Sequence, residues 1–290
     1  MTSIAFIGAG RLGATLATAL SRRGLPVCAI ASRTPDSARR AAAGLPGCAA
    51  VGAAQAAQAQ LVFLTVPDDE IGPLAARLSW RAGQRVVHCS GATEVAVLEP
   101  AARSGALIGG FHPLQIFSDP TRAIELLAGS TVAIEGPPAL EAELRGLADL
   151  LQMRSLVLPA GARALYHGGA SFAASFLLSM LQEAAAIWGS FGIDEGVALQ
   201  AMLPLARGTL DAAAAKGLAG ALAGPVSRGD VGVVARHLSA LERLSPQHAA
   251  FYRELTRRQL LLARASGRLQ EQRLTALEEL LTVGATPTGT

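Results

Sequence analysis

The sequence feature that most constrains the fold is a glycine motif close to the amino terminus. Gly8-Ala9-Gly10-Arg11-Leu12-Gly13 follows a short apolar run at residues 3–7, and leucines then recur at helical spacing. This order predicts a strand, a tight turn and a helix. The three glycines of such a motif permit the turn, let the backbone approach a pyrophosphate, and let the helix pack closely on the strand. We therefore predict that residues 8–13 bind a dinucleotide at the start of the first helix.

Short apolar segments that end in polar loops recur through the first half of the chain. Strands are predicted at residues 26–31, 61–66, 85–89, 106–111 and 130–134, with an edge strand at 155–158. Helical patterns between them predict an α/β fold with a doubly wound, mostly parallel Rossmann sheet. Beyond this point only helices are predicted, with breaks near Gly192, between Gly217 and Gly229, and at Ser245-Pro246. We therefore expect a Rossmann domain at 1–159 and an all-α domain at 160–290.

The loop after the second predicted strand holds Ser32, Arg33 and Thr34. About 20 residues past the glycine motif, an NAD enzyme normally presents a carboxylate to the adenosine ribose. A guanidinium between two hydroxyls suits a 2'-phosphate instead, because arginine donates charge-assisted hydrogen bonds. We expect NADP(H) as cofactor, although Ser32 or Thr34 can also cap the next helix. Val66, Pro67 and Asp68, which close the next strand, are predicted to line the same site.

Five motifs together resemble a known family. They are the glycine motif, Val66-Pro67-Asp68-Asp69, His88-Cys89-Ser90-Gly91-Ala92, His112-Pro113-Leu114-Gln115, and Gly224-Pro225 with Arg228-Gly229-Asp230. They are similar to a Rossmann family with a C-terminal domain of unknown function 2520, related to 6-phosphogluconate dehydrogenase, pyrroline-5-carboxylate reductase and prephenate dehydrogenase. The resemblance covers the whole chain and implies a helical, dimerising second domain. Members are often labelled NADP oxidoreductases, some by analogy with deazaflavin-dependent enzymes, which leaves the substrate and the hydride partner open.

Ser90 and His112 follow predicted strands at the carboxyl edge of the sheet, where doubly wound sheets bind their ligands. Their resemblance to the serine and the His-Pro motif of prephenate dehydrogenases implies that His112 exchanges a proton with the substrate. The ordinary pKa of histidine, near 6.5, suits that role. Ser90 would assist catalysis or bind the nicotinamide carboxamide, and Gln115 would contact the substrate. A local alternative is that His112 only anchors the turn at Pro113.

The helix predicted at residues 162–188 supplies further candidates. Related dehydrogenases place a lysine and an asparagine near its start, where this chain has Tyr166 and His167. We predict His167 as a second catalytic histidine, with Ser171 and Ser175, four residues apart on one face, lining an interdomain cleft. Arg228 would hold a substrate carboxylate bidentately. Because the lysine is missing, a non-catalytic NADP(H) sensor or regulatory protein remains the alternative function.

Amino-acid composition and charge argue against several classes of function. The 25 basic and 22 acidic residues are scattered along the chain, which argues against nucleic acid as a partner. The apolar stretches carry polar residues before reaching the ~20 residues of a membrane span, and a strand begins close to Met1, so we expect a cytoplasmic protein. Three cysteines without CxxC spacing predict neither disulfides nor a metal. The leading interpretation is an NADP(H)-dependent oxidoreductase, working as a homodimer on a small, carboxylated carbonyl, imine or alcohol.

Overall fold

The computed structural model describes residues 2–117 and 120–282, which form two compact units that divide between Ala173 and Ala174. The first unit contains one eight-stranded sheet with helices on its faces. The second unit is helical throughout its described part. The predicted fold class, a Rossmann sheet followed by an all-helical region, is confirmed.

The sheet has the strand order β3-β2-β1-β4-β5-β6-β7-β8. Its strands are β1 Ile4–Ile7, β2 Val27–Ala31, β3 Ala49–Val51, β4 Leu61–Leu64, β5 Arg85–His88, β6 Leu107–Leu114, β7 Thr131–Glu135 and β8 Arg154–Val157. All neighbouring strands are parallel except β6 and β7, which are antiparallel. The chain moves outward from β1 in both directions, so the loops after β1 and β4 meet at the point where a doubly wound sheet binds its ligand.

The helices of the first unit cover both faces of the sheet. They are α1 Arg11–Arg22, α2 Pro35–Ala42, α3 Ala53–Ala56, α4 Asp68–Arg77, α5 Glu99–Arg103, α6 Pro120–Leu127, α7 Pro138–Leu150 and α8 Arg163–Ala173, with a 3-10 turn at Val95–Leu98. One core cluster lies on each face, and the strands are apolar on both sides as a covered parallel sheet requires. In one cluster Phe6 stacks on Phe63, with ring centroids 5.0 Å apart.

The second unit comprises α9 Ser175–Gly189, α10 Glu195–Ala221, α11 Pro225–Arg228, α12 Val231–Leu244, α13 Pro246–Ser266 and α14 Glu271–Thr282. Its main core lies among α11 to α14 and includes Val234, Leu260 and Leu277. A smaller cluster joins α9 to α10. Within α10, Gly217 has φ 70° and ψ 169°, so the helix is kinked there. The breaks predicted near Gly192 and at Ser245-Pro246 are present.

The helix predicted at residues 162–188 is two helices, because Ala174 between α8 and α9 has non-helical φ −122° and ψ −88°. The prediction of one continuous helix was therefore wrong. The compact units divide at this break, later in the chain than the predicted boundary after residue 159. The physical reason is that α8 is anchored to the sheet by Arg163, whose guanidinium pairs with Glu135 on β7.

Among the described residues, Arg163–Gly189 is long and apolar enough to cross a membrane by length and composition alone. The break at Ala174 divides it into helices of 11 and 15 residues. Each helix is shorter than the ~20 residues that a span requires. Only 6% of the most apolar 18 residues in this stretch are buried, so it presents apolar side chains to its surroundings.

Candidate functional site

The three glycines of the motif have different surroundings. Gly8 has φ +121°, and a Cβ there would lie 2.3 Å from the carbonyl oxygen of Thr65. A Cβ on Gly13 would lie 2.1 Å from the carbonyl oxygen of Gly8, whereas a Cβ on Gly10 would meet nothing within 4 Å. The Thr65 hydroxyl donates to the Gly8 carbonyl at 2.7 Å and fixes the turn. Gly8 and Gly13 are thus required by packing, while Gly10 keeps space open.

Helix α1 begins directly after Gly10, which is its N-cap and has no side chain to satisfy the first-turn N–H groups. The first N–H groups of a helix have no partner within the helix, and they carry its positive partial charge. No acidic residue lies in this first turn. The start of α1 is therefore suited to bind a phosphate.

A cavity of 550 Å³ opens beside this turn. Its walls include Gly8, Ala9 and Gly10 after β1, Ser32, Arg33 and Thr34 after β2, and Thr65, Val66 and Pro67 after β4. The structure thus gathers most of the predicted cofactor residues around one space. Arg11 lies in an adjoining recess with Arg40, whereas Leu12 packs against the core.

Helix α4 forms another wall of this cavity with Glu70, Leu74 and Arg77. The sequence interpretation missed these three residues. They lie at i, i+4 and i+7 on one face of a helix that begins at the predicted Pro67-Asp68 segment, and that spacing could have identified them. The cavity therefore has two arginines, Arg33 from the β2 loop and Arg77 from the end of α4.

The Ser90 side chain is buried, and its hydrogen bonds go to neighbouring loops. Its hydroxyl donates to Asp68 Oδ2 at 2.7 Å and accepts from the backbone N–H groups of Ala92 and Thr93 at 3.2 and 2.9 Å. Asp68 in turn follows Pro67, which lines the cavity. Ser90 thus joins the loop after β4 to the loop after β5.

Two histidines and a tyrosine lie together beside Gly91, in the loop after β5. His112 Nδ1 is 3.1 Å from the Tyr166 hydroxyl oxygen, and the two rings meet edge to face with centroids 5.7 Å apart. The His167 ring centroid lies 5.8 Å from that of His112. A Cβ on Gly91 would come within 2.4 Å of His167 and 2.9 Å of His112, so this glycine leaves room for both rings. We name His112, Tyr166 and His167 the histidine cluster.

Burial favours the neutral forms of His112, Tyr166 and His88. Burial is the main cause that lowers the pKa of His112 to about 4, and the charges of His167 and Arg163 lower it further. Burial likewise raises the pKa of Tyr166, which therefore keeps its proton at neutral pH. His88, at the end of β5, is fully buried, and burial lowers its pKa to about 3. At neutral pH His112 is thus an uncharged hydrogen-bonding partner of a protonated tyrosine.

The residues predicted to bind the substrate lie in different segments of the chain. The Gln115 side chain bonds locally, donating to the Leu126 carbonyl and accepting from the Ile116 N–H. Ser171 donates to the His167 carbonyl at 3.2 Å, one turn back in α8. Ser175 and the exposed Arg228 belong to the second unit. Within the described residues, no group of three or more His, Cys, Asp or Glu side chains forms a metal-binding cluster.

Two family models match the chain. Residues 1–113 match a Rossmann-like domain, and residues 130–259 match the domain of unknown function DUF2520. This combination is the one that the sequence motifs predicted. No curated protein sequence matches the chain.

Solved structures share the fold over most of the chain. Protein TM1727 from Thermotoga maritima is 24% identical, with a TM-score of 0.75 over 91% of this chain and 100% of its own. The NADP oxidoreductase candidate BF3122 from Bacteroides fragilis is 27% identical, with a TM-score of 0.69 over 88% of this chain and 96% of its own. An imine reductase from a Pseudomonas species is 18% identical, with a TM-score of 0.63 over 97% and 99%.

Proposed function

We propose that this chain, which joins a Rossmann-like domain to a DUF2520 domain, is an NADP(H)-dependent oxidoreductase. It would transfer hydride between the nicotinamide and a small, carboxylated carbonyl, imine or alcohol. The similarity to the NADP oxidoreductase candidate from Bacteroides fragilis supports the reaction class. The fold shared with an imine reductase is compatible with this proposal, although fold alone does not establish a reaction.

The observation that carries the proposal is the cavity beside the glycine turn. Gly10 leaves its wall open, and the start of α1 offers N–H groups for a pyrophosphate. Arg33 lines the cavity from the loop after β2, the loop from which dinucleotide-binding folds contact the adenosine ribose. Ser32 occupies the place where NAD enzymes present a carboxylate to the ribose. The carboxylate that does line the cavity, Glu70, comes from α4 and not from the β2 loop. These features fit a nicotinamide dinucleotide with a 2'-phosphate.

In this proposal the histidine cluster would supply the proton that the reaction needs, while a nicotinamide bound in the cavity would supply or accept the hydride. Reduction of a carbonyl or imine adds a proton to the oxygen or nitrogen, and Tyr166 holds such a proton at its hydroxyl. His112 Nδ1 is in hydrogen-bonding distance of that hydroxyl and can support the phenolate as the proton leaves. We therefore add Tyr166 to the proposed catalytic residues His112 and His167. Ser90 would act through the loops it joins.

Calorimetric binding of NADPH and NADH to the wild-type protein and to Arg33→Ala tests the cofactor. Loss of one charge-assisted contact is worth about 1.5–3 kcal/mol, so we expect Arg33→Ala to weaken NADPH by about tenfold or more and to leave NADH unchanged. The protein would then be screened for NADPH oxidation by small oxo and imino acids. No binding of either nucleotide would refute the proposal. Tight NADPH binding with no turnover across the screen would favour the non-catalytic sensor.

We further propose that the helical unit forms a homodimer. Helix α10 has 27 residues, of which only Ala198 and Met202 are buried. Leu205, Leu210 and Leu218 on this helix are 73%, 58% and 69% exposed. A helix that is apolar around most of its circumference is normally buried, and a second copy of the same chain is the commonest cover among soluble proteins. The part of α10 before the kink at Gly217, residues 195–216, is roughly 33 Å long at 1.5 Å per residue, which is sufficient for an extended interface.

The three cysteines agree with the proposed cytoplasmic location. Cys28, Cys48 and Cys89 are all free thiols. Burial raises the pKa of Cys48 to about 11, and the fully buried Cys89 also has a raised pKa. Thiols in this state are protonated and poorly reactive, as expected of packing residues in a reducing compartment.

A further inference from the structure

The first turn of α8 contains an arginine with no exposed surface. Arg163 is 0% exposed, and its Nε donates to Glu135 Oε2 on β7 at 2.6 Å. Its Nη1 donates to the backbone carbonyl of Ser90 at 2.8 Å. Taking such a pair out of water costs free energy that its attraction only partly returns. A buried arginine with two directional contacts, one to strand β7 and one to the loop after β5, therefore needs a reason beyond stability.

A glycine on β6 leaves space for the Arg163 guanidinium. A Cβ on Gly110 of β6 would lie 1.8 Å from Arg163 Nη2, so any larger residue would displace the guanidinium. Gly110 does not have a positive φ, so its backbone conformation does not itself demand glycine. The space above Gly110 is thus occupied by the arginine head group, just as the space above Gly91 is occupied by the two histidine rings.

The main chain at the start of α8 is held as well. The Glu94 carboxylate accepts the N–H groups of Gly161 and Arg163, each at 3.0 Å. The helix start is therefore fixed from two directions, by Glu94 on its backbone and by Glu135 and the Ser90 carbonyl on its arginine. Tyr166 and His167 follow Arg163 by three and four residues, which places all three on one face of the helix.

We propose that Arg163 is a positioning residue that fixes the first turn of α8 so that Tyr166 and His167 meet His112. The proposal rests on the proposed function in that it takes the histidine cluster as the reaction site. Arg163 touches none of the residues that line the cofactor cavity through any hydrogen bond found in the described structure. Its direct contacts thus lie outside the cavity lining, and its guanidinium reaches the loops beside the cavity through the Ser90 carbonyl. We therefore expect its loss to change the histidine cluster much more than cofactor binding.

The charge of Arg163 also acts on His112. The charged or titratable groups around His112 come from four elements: Asp68 of α4, His88 of β5, Glu135 of β7, and Arg163, Tyr166 and His167 of α8. Arg163 and His167 lower the pKa of His112, while Asp68 raises it. Arg163 therefore favours the neutral imidazole that pairs with the Tyr166 hydroxyl.

The test compares Arg163→Met with Arg253→Met in the full-length protein. Arg253 is also buried and paired with one glutamate, Glu242, but it lies in the second unit, so it controls for loss of a buried ion pair. Nitrogen NMR of the histidine rings, with His112 assigned by its missing signal in His112→Asn, reports the tautomer and protonation of that ring. We expect one neutral tautomer at pH 7 in the wild type and in Arg253→Met. In Arg163→Met we expect mixed tautomers and a His112 pKa that rises above about 4 but stays well below its ordinary value, because burial and His167 continue to lower it.

Kinetics and binding complete the test. Once a substrate is known, Arg163→Met should lower kcat by about 10- to 100-fold with little change in KM, because misplacement of a reacting group acts on the chemical step. NADPH affinity should stay within about twofold of wild type, since the cavity is built from other residues. A His112 ring that keeps its wild-type tautomer and pKa in Arg163→Met would overturn the proposal.

A second variant covers the case in which Arg163→Met does not fold. Arg163→Lys keeps the charge, but a single ammonium lacks the planar fork that reaches both Glu135 and the Ser90 carbonyl. We expect it to lose the single His112 tautomer while the pKa stays low, and retention of the wild-type tautomer would overturn the proposal. The NMR readout uses the resting protein without substrate. It therefore decides the role of Arg163 even if screening for turnover refutes the proposed function.

Discussion

Replacing Gly10 by alanine is expected to abolish tight NADPH binding and to leave the fold intact. A Cβ at this position meets no protein atom within 4 Å, and the backbone angles, φ −71° and ψ 180°, are open to alanine. The folding cost is that of alanine for glycine at an N-cap, within about 1 kcal/mol, or at most about 4 °C in Tm for a unit of this size. The methyl group would instead occupy the space through which a pyrophosphate approaches the start of α1.

The expected loss of affinity follows from the contacts that the methyl group would block. A hydrogen bond from a backbone N–H to a charged phosphate is worth about 1.5–3 kcal/mol, which corresponds to a Kd raised about 10- to 100-fold for each bond lost. Gly13→Ala is the matched control because its Cβ would lie 2.1 Å from the Gly8 carbonyl oxygen. Backbone cannot move aside cheaply, so we expect about 3 kcal/mol of destabilisation and a Tm lower by about 6–12 °C.

Calorimetric titration with NADPH and thermal unfolding of both variants separate these effects. The expected pattern is a Gly10→Ala protein that melts like wild type and binds NADPH weakly, beside a Gly13→Ala protein with a clearly lower Tm. Wild-type affinity in Gly10→Ala would refute the assignment of this turn as the pyrophosphate site. A wild-type Tm in Gly13→Ala would refute the packing argument for the third glycine.

Three further predictions concern the histidine cluster, pH and assembly. Tyr166→Phe should lower kcat by about 100-fold or more, since it removes the hydroxyl that holds the proton, and should leave NADPH affinity unchanged. Steady-state kinetics would check kcat, and calorimetry would check the affinity. His112 and His88 have folded pKa values of about 4 and about 3, below the ordinary 6.5. Their contribution to stability is therefore fully present above pH 6.5 and is lost progressively as the pH falls from 6.5 through these folded values. Urea midpoints should fall from pH 7 to pH 5, and less so in His112→Asn. Leu205→Glu should convert the dimer to a monomer in sedimentation equilibrium. Leu261→Glu, at a 61% exposed position on α13, should leave the dimer unchanged. A wild-type protein that is monomeric at micromolar concentration would contradict the proposed assembly.

The parts of the fold that could be predicted from the sequence are those in which local signals and tertiary packing agree. The glycine turn, the apolar strands and the breaks beside Gly192 and Pro246 are all marked by residues with strong conformational preferences. The edge strand β3, Ala49–Val51, was missed because it is short and largely exposed, and alanine carries no strand signal. The break at Ala174 was missed for a similar reason: no glycine or proline marks it, and the surrounding alanines favour helix.

The candidate functional site likewise has parts that could be predicted from the sequence and parts that could not. The part of the cavity wall at Gly8 to Gly10 could be predicted because these residues follow one another in a motif whose glycines have a known physical role. The contacts of Ser90 were not, since its partner Asp68 is 22 residues away. Arg163 and Tyr166 also escaped prediction, because an arginine early in a helix is usually solvated, and only the tertiary structure shows that this one is buried. Long-range contacts of this kind leave no periodic trace in a single sequence.

The packing of the Arg163 head group against Gly110 has an evolutionary consequence. Because the space above Gly110 is filled by the Arg163 head group, neither position can change alone: a side chain at 110 expels the guanidinium, and loss of the arginine leaves a void beside a backbone that no longer needs glycine. The two positions should therefore be inherited as a pair, with lineages that lose the arginine free to acquire alanine or serine on β6. Such a pair would stand out among homologues as strongly as a ligand contact, although neither residue lines the cofactor cavity.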